Sequence, residues 1–308
     1  MRVVFLGIFC IACSSGSDET PQPEPLLDPA SYDCRAGGNV EPPARPHALD
    51  CYRDAGCSSP LVCGHRMATP FAPENSLSAL RAAILLGVDV VETDVRLSAD
   101  GEVVLLHDDT VDRTLAGSGS VESLTLAEIR AMPMRVDAAL PGDFGCERVP
   151  TLDEIFAIAD GRIVVELEVK DTDAGVRTAE YLRDHDVEAF LLCDRAECDA
   201  LRAVVPTAPI MSRPETPAEV AGELAYEPPP ILVHIDPTDA FLAEVDAIHA
   251  RGAKAYANAF LTADVEALGD GAIDGYRAMF EAGLDVVQTE LPHYALMALG
   301  RLPDDAKP

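Results

Sequence analysis

From Leu61 onward the chain repeats one unit, a short apolar run of strand character followed by a stretch with helical periodicity. The runs are "LVCGH", "DVVETDV", "RIVVELEVK", "AFLLC", "APIMS", "ILVHI", "AKAYAN" and "LDVVQT", eight in all. Helical patterns follow most of them, for example "ENSLSALRAAILLG" from Glu74 and "DAFLAEVDAIHARG" from Asp239. Strands that alternate with helices in this way form a parallel sheet. Eight such units in about 250 residues predict an α/β fold of the (β/α)8 TIM-barrel type. The competing doubly wound sheet would put a glycine-rich nucleotide loop after its first strand, and none follows "LVCGH". With 308 residues, 48% of them hydrophobic, the chain suits one large domain of barrel size or two small ones.

A barrel carries its chemistry at the C-terminal ends of its strands, and the reactive residue types of this sequence lie there. "LVCGHR" ends in His65 and Arg66, and the second run carries Glu92 and Asp94 on one face. In "ELEVK", Glu166, Glu168 and Lys170 share a face, while Val165, Leu167 and Val169 take the other. That much charge in a barrel interior requires partners. After the second run, Ser98-Ala99-Asp100-Gly101 reads as the tight turn of a β-hairpin excursion. If Leu97 opposes Glu102, opposed residue numbers sum to 199, so His107 faces Glu92 and Leu105 faces Asp94. The hairpin then gathers Glu92, Asp94 and His107 on one surface.

The formal net charge is -30, and lysine supplies only three of the 23 basic residues. Such a chain offers no basic footprint for a nucleic-acid backbone. Binding of a phosphodiester would therefore require a metal ion or a local basic cluster. At the N-terminus, Arg2 precedes an apolar segment, Val3 to Ala12, that is too short to span a bilayer. "CIACSSGSDET" resembles a bacterial lipoprotein cleavage site with Cys13 as the lipidated residue, and an ordinary cleaved signal peptide is the other reading. The expected organisation is a signal peptide over 1–12, a lipid-anchored proline-rich tether over 13–33, a cysteine-containing extension over 34–60 and the barrel over 61–305. The chain is thus expected to be exported and anchored in the bacterial cell envelope.

The ordered pieces "GHR", "PENSLSAL", "GVDVVETDVRLSADGEVVLLHDDTVDRT", "ELEVK" and "LDVVQTELP" resemble the glycerophosphodiester phosphodiesterase family over most of Leu61 to Pro292. The resemblance implies a (β/α)8 barrel with a hairpin excursion and a divalent metal, Ca²⁺ or Mg²⁺. It places Glu92, Asp94 and Glu168 as metal ligands, His65 and His107 as acid and base, and Arg66 and Lys170 beside the phosphate. The implied activity is hydrolysis of glycerophosphodiesters to an alcohol and sn-glycerol 3-phosphate. A phospholipase D-like lipid phosphodiesterase and a catalytically inactive surface-binding lipoprotein are the alternatives. Three carboxylates agree physically, because hard oxygen donors suit Ca²⁺ or Mg²⁺.

Other residues carry weaker signals. Glu166 reads as a group holding Lys170, and Glu74 and Asn75 as helix-capping residues. His185, His234, His249 and His293 lack a carboxylate motif, and of these only His234 sits near a strand end. Disulfides are the default for cysteines in an exported chain. Cys193 and Cys198 are close enough to pair locally, and Cys63 reads as a core residue. Three positions depart from the family pattern. Met67 stands where the family has glycine after "HR", "TELP" replaces "TDxP", and no tryptophan accompanies Asn258.

Overall fold

The computed structural model describes residues 26–303. The expected signal peptide, Cys13 and most of the expected tether therefore lie outside the described residues. Among the described residues nine strands form one sheet. They are β1 (Leu61–Gly64), β2 (Val90–Leu97), β3 (Val103–Leu105), β4 (Val164–Val169), β5 (Ala189–Cys193), β6 (Ile210–Ser212), β7 (Leu232–His234), β8 (Lys254–Asn258) and β9 (Val286–Thr289). The order β1-β9-β8-β7-β6-β5-β4-β2 closes through a β1–β2 pairing, and every pair around this ring is parallel. This is the (β/α)8 barrel that the strand count predicts, with β3 as an antiparallel arm outside the ring.

Strand alternation divides the apolar side chains in two. Val91, Val95, Val165, Leu167, Leu191 and Val287 face the helices and join the main core. Leu61, Cys63, Val90, Val164, Phe190, Met211, Leu232, Tyr256 and Val286 fill the barrel interior near its N-terminal end. Cys51 and Tyr52 of the N-terminal extension pack into that interior cluster, so the extension plugs the barrel floor. Polar ties fasten the plug. Tyr52 donates to Glu188 at 2.9 Å, and the Lys254 ammonium reaches the Cys57 carbonyl. The buried Asp89 gathers His47 at 3.1 Å, Arg45 at 3.6 Å and Arg301 at 2.6 Å, joining the extension, the start of β2 and the C-terminal segment. Disulfides link Cys34 to Cys146, Cys51 to Cys57 and Cys193 to Cys198, and Cys63 is free and buried. Among the described residues no helix is long and apolar enough to cross a membrane.

The hairpin register corrects the sequence reading by one residue. Leu97 pairs with Val103 and Val95 with Leu105, so opposed numbers sum to 200. The turn takes in Glu102. Ser98 N–H donates to the Glu102 carbonyl at 2.9 Å, Glu102 N–H donates to Ser98 Oγ at 3.0 Å, and Gly101 adopts φ 81°. The Ser98 side chain thus makes a wider turn than the Asp-Gly pair alone implies. Pairing stops at Leu105, so pleat alternation does not place His107 opposite Glu92. Instead Arg96 grips the His107 carbonyl at 2.9 and 2.7 Å, and Leu106 N–H donates to the Asp94 carbonyl at 3.1 Å.

Candidate active site

The C-terminal end of the barrel holds an acidic ring. Glu92, Asp94 and Glu168 each present a carboxylate oxygen, and these atoms lie within 4.8 Å of one another. Register explains the convergence, because Asp94 on β2 pairs with Glu168 on β4 and Glu92 with Glu166. Glu92 is fully buried, and its Oε1 has no hydrogen-bond partner among the described residues. Burial first, then the charges of Asp94 and Glu168, push the Glu92 carboxyl well above the usual range. A buried carboxylate set this poor in compensation fits a hard cation, which satisfies the orphan oxygen and returns the acids to their charged forms. Asp94 behaves differently. Burial raises its pKa, but Lys170, the Asn75 amide and the charge of His107 outweigh that and bring it below the ordinary value. Lys170 lies 3.0 Å from Asp94 and 2.9 Å from Glu168 at the mouth of the site.

The loop after β1 supplies the next layer. Arg66, Met67 and Asn75 all have positive φ, at 46°, 78° and 53°. This left-handed backbone, unfavourable for side-chain-bearing residues, aims Arg66 N–H at Glu92 Oε2 at 2.7 Å. Met67 therefore keeps the conformation that a glycine would adopt there. Its side chain is wholly buried in the main core, which offsets the strain. The loop also requires Gly64, where a Cβ would collide with the Met67 carbonyl. The capping reading of Asn75 and Glu74 fails. Ser76 caps the following helix, Leu77–Leu86, while Asn75 donates to Asp94 at 2.9 Å and accepts from Thr93 at 2.8 Å. Glu74 bridges Arg66 at 3.1 Å and Arg113 at 2.6 Å.

Each sequence-predicted histidine meets a carboxylate through Nδ1. His65 Nδ1 lies 2.7 Å from Glu290 Oε1, and its Nε2 is 3.8 Å from Glu92. His107 Nδ1 lies 2.8 Å from Asp108 Oδ1. Such pairs fix the ring and leave Nε2 as the nitrogen able to face a substrate. Glu290 is held in turn by Thr69 at 3.0 Å and Asp108 by Arg113 at 2.6 Å. The Phe260 ring packs against His65 with centroids 4.6 Å apart. The structure thus brings His65, Arg66, Glu92, Asp94, Glu168 and Lys170 together, with His107 near enough for its charge to act on Asp94.

Sequence reasoning missed Glu290, Asp108, Asn75 and Arg113. "HDD" and "PEN" were visible signals for two of them, but nothing local announced that Glu290 of "TELP" reaches His65. Glu166 does not hold Lys170. It accepts from the Tyr256 hydroxyl at 2.6 Å and from the Cys63 thiol at 3.6 Å, deep in the barrel. Burial, opposed by the Tyr256 hydrogen bond and aided by Glu168, pushes its carboxyl up to about 8, so it is neutral at neutral pH. Glu166 therefore stands apart from the ring of Glu92, Asp94 and Glu168.

The chain is similar to known proteins in both sequence and fold. Residues 65–202 match the Glycerophosphoryl diester phosphodiesterase family. A glycerophosphodiester phosphodiesterase of Caldanaerobacter subterraneus is 43% identical over 113 residues, covering 36% of this chain and 45% of that protein. Human glycerophosphodiester phosphodiesterase 1 is 43% identical over 93 residues, or 30% of this chain and 28% of the relative. The chain spans less than half the length of these curated relatives. Similarity of fold reaches further. The crystal structure of a Glycerophosphoryl diester phosphodiesterase from Parabacteroides distasonis aligns with TM-score 0.68 at 23% identity, covering 86% of this chain and 94% of that one. An Oleispira antarctica phosphodiesterase, solved in complex with the product sn-glycerol-3-phosphate, aligns with TM-score 0.65 at 25% identity, covering 80% and 99%.

Proposed function

Because the chain belongs to the glycerophosphoryl diester phosphodiesterase family, we propose that it hydrolyses glycerophosphodiesters to an alcohol and sn-glycerol 3-phosphate. The observation that carries this reading is the buried ring of Glu92, Asp94 and Glu168, set beside His65, Arg66 and Lys170 at one barrel mouth. The three carboxylates would hold Ca²⁺ or Mg²⁺, whose Lewis acidity neutralises charge on a phosphate oxygen. Lys170 and Arg66 bind the remaining anionic oxygens and orient the diester. His65 and His107 divide the proton work, one taking a proton from the attacking oxygen and the other giving one to the leaving alkoxide. Glu290 and Asp108 hold the two rings so that each Nε2 faces the reaction.

The decisive experiment assays the purified chain on glycerophosphocholine with added Ca²⁺, with Mg²⁺ and after exhaustive chelation. Turnover should vanish with the chelator and return with one of the cations. Full activity after chelation would eliminate the metal reading. We also propose an envelope-anchored lipoprotein, on the strength of Arg2, the apolar segment Val3 to Ala12 and Cys13 ahead of a polar tether. In this organisation residues 34–60 form an extension to a barrel over 61–305. Cys13→Ser should release the protein from the membrane fraction or block its processing. A soluble unchanged protein beginning at another residue would refute the anchor.

A further inference from the structure

In the closed ring of strands β7 lies opposite β2, and β8 opposite β4, so these strands form the wall that faces the acidic ring. That wall carries polar groups with no task in the metal site or in either histidine–carboxylate pair. His234, the last residue of β7, is 4% exposed. It pairs in register with Tyr256, an interior residue, and packs edge-on to the Tyr256 ring at 5.0 Å. Its Nδ1 is buried with no hydrogen-bond partner among the described residues. On β8, two residues nearer the mouth than Tyr256, Asn258 likewise has a buried Oδ1 without a partner. The buried Gln288 stands beside Asn258 in register. Arg213, just beyond β6, stands at the rim with Nη1 3.9 Å from Glu168, which joins this wall to the acidic ring.

Buried polar atoms in folded proteins are nearly always paired, and leaving one unpaired is costly. Two such atoms on adjacent strands, facing the cation-binding carboxylates, mark a place prepared for a ligand. Burial, with a contribution from the charge of Arg213, lowers the His234 pKa to about 3, so the ring is neutral. A neutral imidazole offers one donor and one acceptor, and a carboxamide offers both as well. Hydroxyl groups match that set. A quaternary ammonium does not, since it needs aromatic faces or free carboxylates, and Arg213 at the rim opposes a cation.

We propose that His234 and Asn258 form a hydroxyl-binding subsite that takes a polyol portion of the phosphodiester. The proposal rests on the phosphodiesterase reading and adds to it the group that the far wall recognises. The polyol is either the glycerol half present in every substrate of that class or a hydroxylated alcohol half, and the two sources are separable by experiment.

The test uses the full chain and three variants, His234→Leu, His234→Gln and Asn258→Ala. Calorimetry with a divalent cation present measures binding of sn-glycerol 3-phosphate and, separately, of inorganic phosphate, which has no polyol. Where the subsite holds the glycerol half, His234→Leu and Asn258→Ala should each weaken sn-glycerol 3-phosphate roughly 3- to 10-fold, the loss of about one hydrogen bond, and leave phosphate unchanged. Where it holds the alcohol half, both affinities should stay unchanged and only the intact diester should be affected. His234→Gln should recover part of the loss. The thermal midpoint of His234→Leu should not fall, because an apolar side chain removes a buried unpaired nitrogen. Steady-state kinetics then assign the source. An equal drop in kcat/KM on glycerophosphoglycerol and glycerophosphocholine identifies the glycerol half, and a drop on the first alone identifies the alcohol half. A His234→Leu variant that leaves both the sn-glycerol 3-phosphate affinity and kcat/KM on glycerophosphoglycerol unchanged, or that loses as much phosphate affinity as sn-glycerol 3-phosphate affinity, overturns the subsite. Absence of turnover on both diesters would remove the proposed activity, while calorimetry on the two intact diesters and on sn-glycerol 3-phosphate would still decide the subsite.

Discussion

Arg113 is expected to position both sides of the reaction centre without touching substrate. Its guanidinium donates to Asp108 at 2.6 and 3.1 Å and to Glu74 at 2.6 and 2.8 Å. Through Asp108 it fixes His107, and through Glu74 it fixes Arg66. Arg113 is the leading cause that holds the Asp108 carboxyl down at about 2, from an ordinary 3.8. A shift of that size converts to about 2 kcal/mol at 1.36 kcal/mol per unit. The Arg113 side chain is 47% exposed, so screening reduces the figure to roughly 1 kcal/mol. Asp108 has a depressed folded pKa, so its contribution is complete above about pH 4 and fades as pH falls toward about 2. Arg113→Ala should therefore cost roughly 1 kcal/mol at neutral pH and nothing near pH 2, measured by denaturant titration. The kinetic effect should be larger. With Asp108 unanchored, His107 loses its fixed ring orientation, and kcat should drop about 10- to 100-fold. KM should rise less, because Arg66 keeps its own bond to Glu74. Arg113→Lys should restore most of the stability but little of the kcat, because an ammonium cannot fork to two carboxylates. A folded Arg113→Ala protein with the kcat, KM and pH profile of the wild type would refute this reasoning.

Three further outcomes follow from the frame around the site. The His47 side chain is 3% exposed, and its ion pair with the Asp89 carboxylate at 3.1 Å raises its pKa above 6.5, so its stabilisation is complete below that pH and lost as pH rises through the folded pKa. His47→Ala should accordingly lower stability by about 1–2 kcal/mol near pH 6 and by much less near pH 9, and equal losses at both would contradict the assignment. Replacing both Cys34 and Cys146 by serine opens a crosslink spanning 112 residues and should cost about 2–5 kcal/mol by chemical denaturation; an unchanged midpoint under oxidising conditions would count against it. Gly64→Ala drives a Cβ into the Met67 carbonyl and should move the loop that aims Arg66 N–H at Glu92, costing about 1–3 kcal/mol and weakening cation binding by titration calorimetry, whereas wild-type affinity would show that the loop accommodates the methyl group.

Much of this site is legible because a barrel interior imposes period-2 alternation, and charge on the inward face is conspicuous wherever it occurs. Glu92, Asp94, Glu168 and Lys170 stand out for that reason. What alternation encodes is a face, and a face is all it encodes. The hairpin register slips by one because the Ser98 side chain draws Glu102 into the turn, an effect of side-chain chemistry that strand patterning does not carry. His107 escapes alternation entirely, since pairing ends at Leu105 and an arginine on the neighbouring strand fixes its backbone. Glu290 meets His65 across 225 residues of sequence, with no local pattern to announce the contact.

Glu92 and Glu166 make the sharpest case. They are register partners on adjacent strands, and both are fully buried carboxylates on the inward face. One lies in the carboxylate ring at the mouth, and the other is a neutral acid. The difference lies in what distant strands bring to each. The strained loop after β1 offers Glu92 a backbone N–H at the mouth and leaves its other oxygen free. Tyr256, from the opposite side of the barrel, and Cys63 hold Glu166 deep in the interior. There burial keeps its proton on, even against the Tyr256 hydrogen bond that favours the anion. Division of labour among acids that look equivalent in sequence is therefore a property of the closed barrel, since closure brings Tyr256 within reach of Glu166.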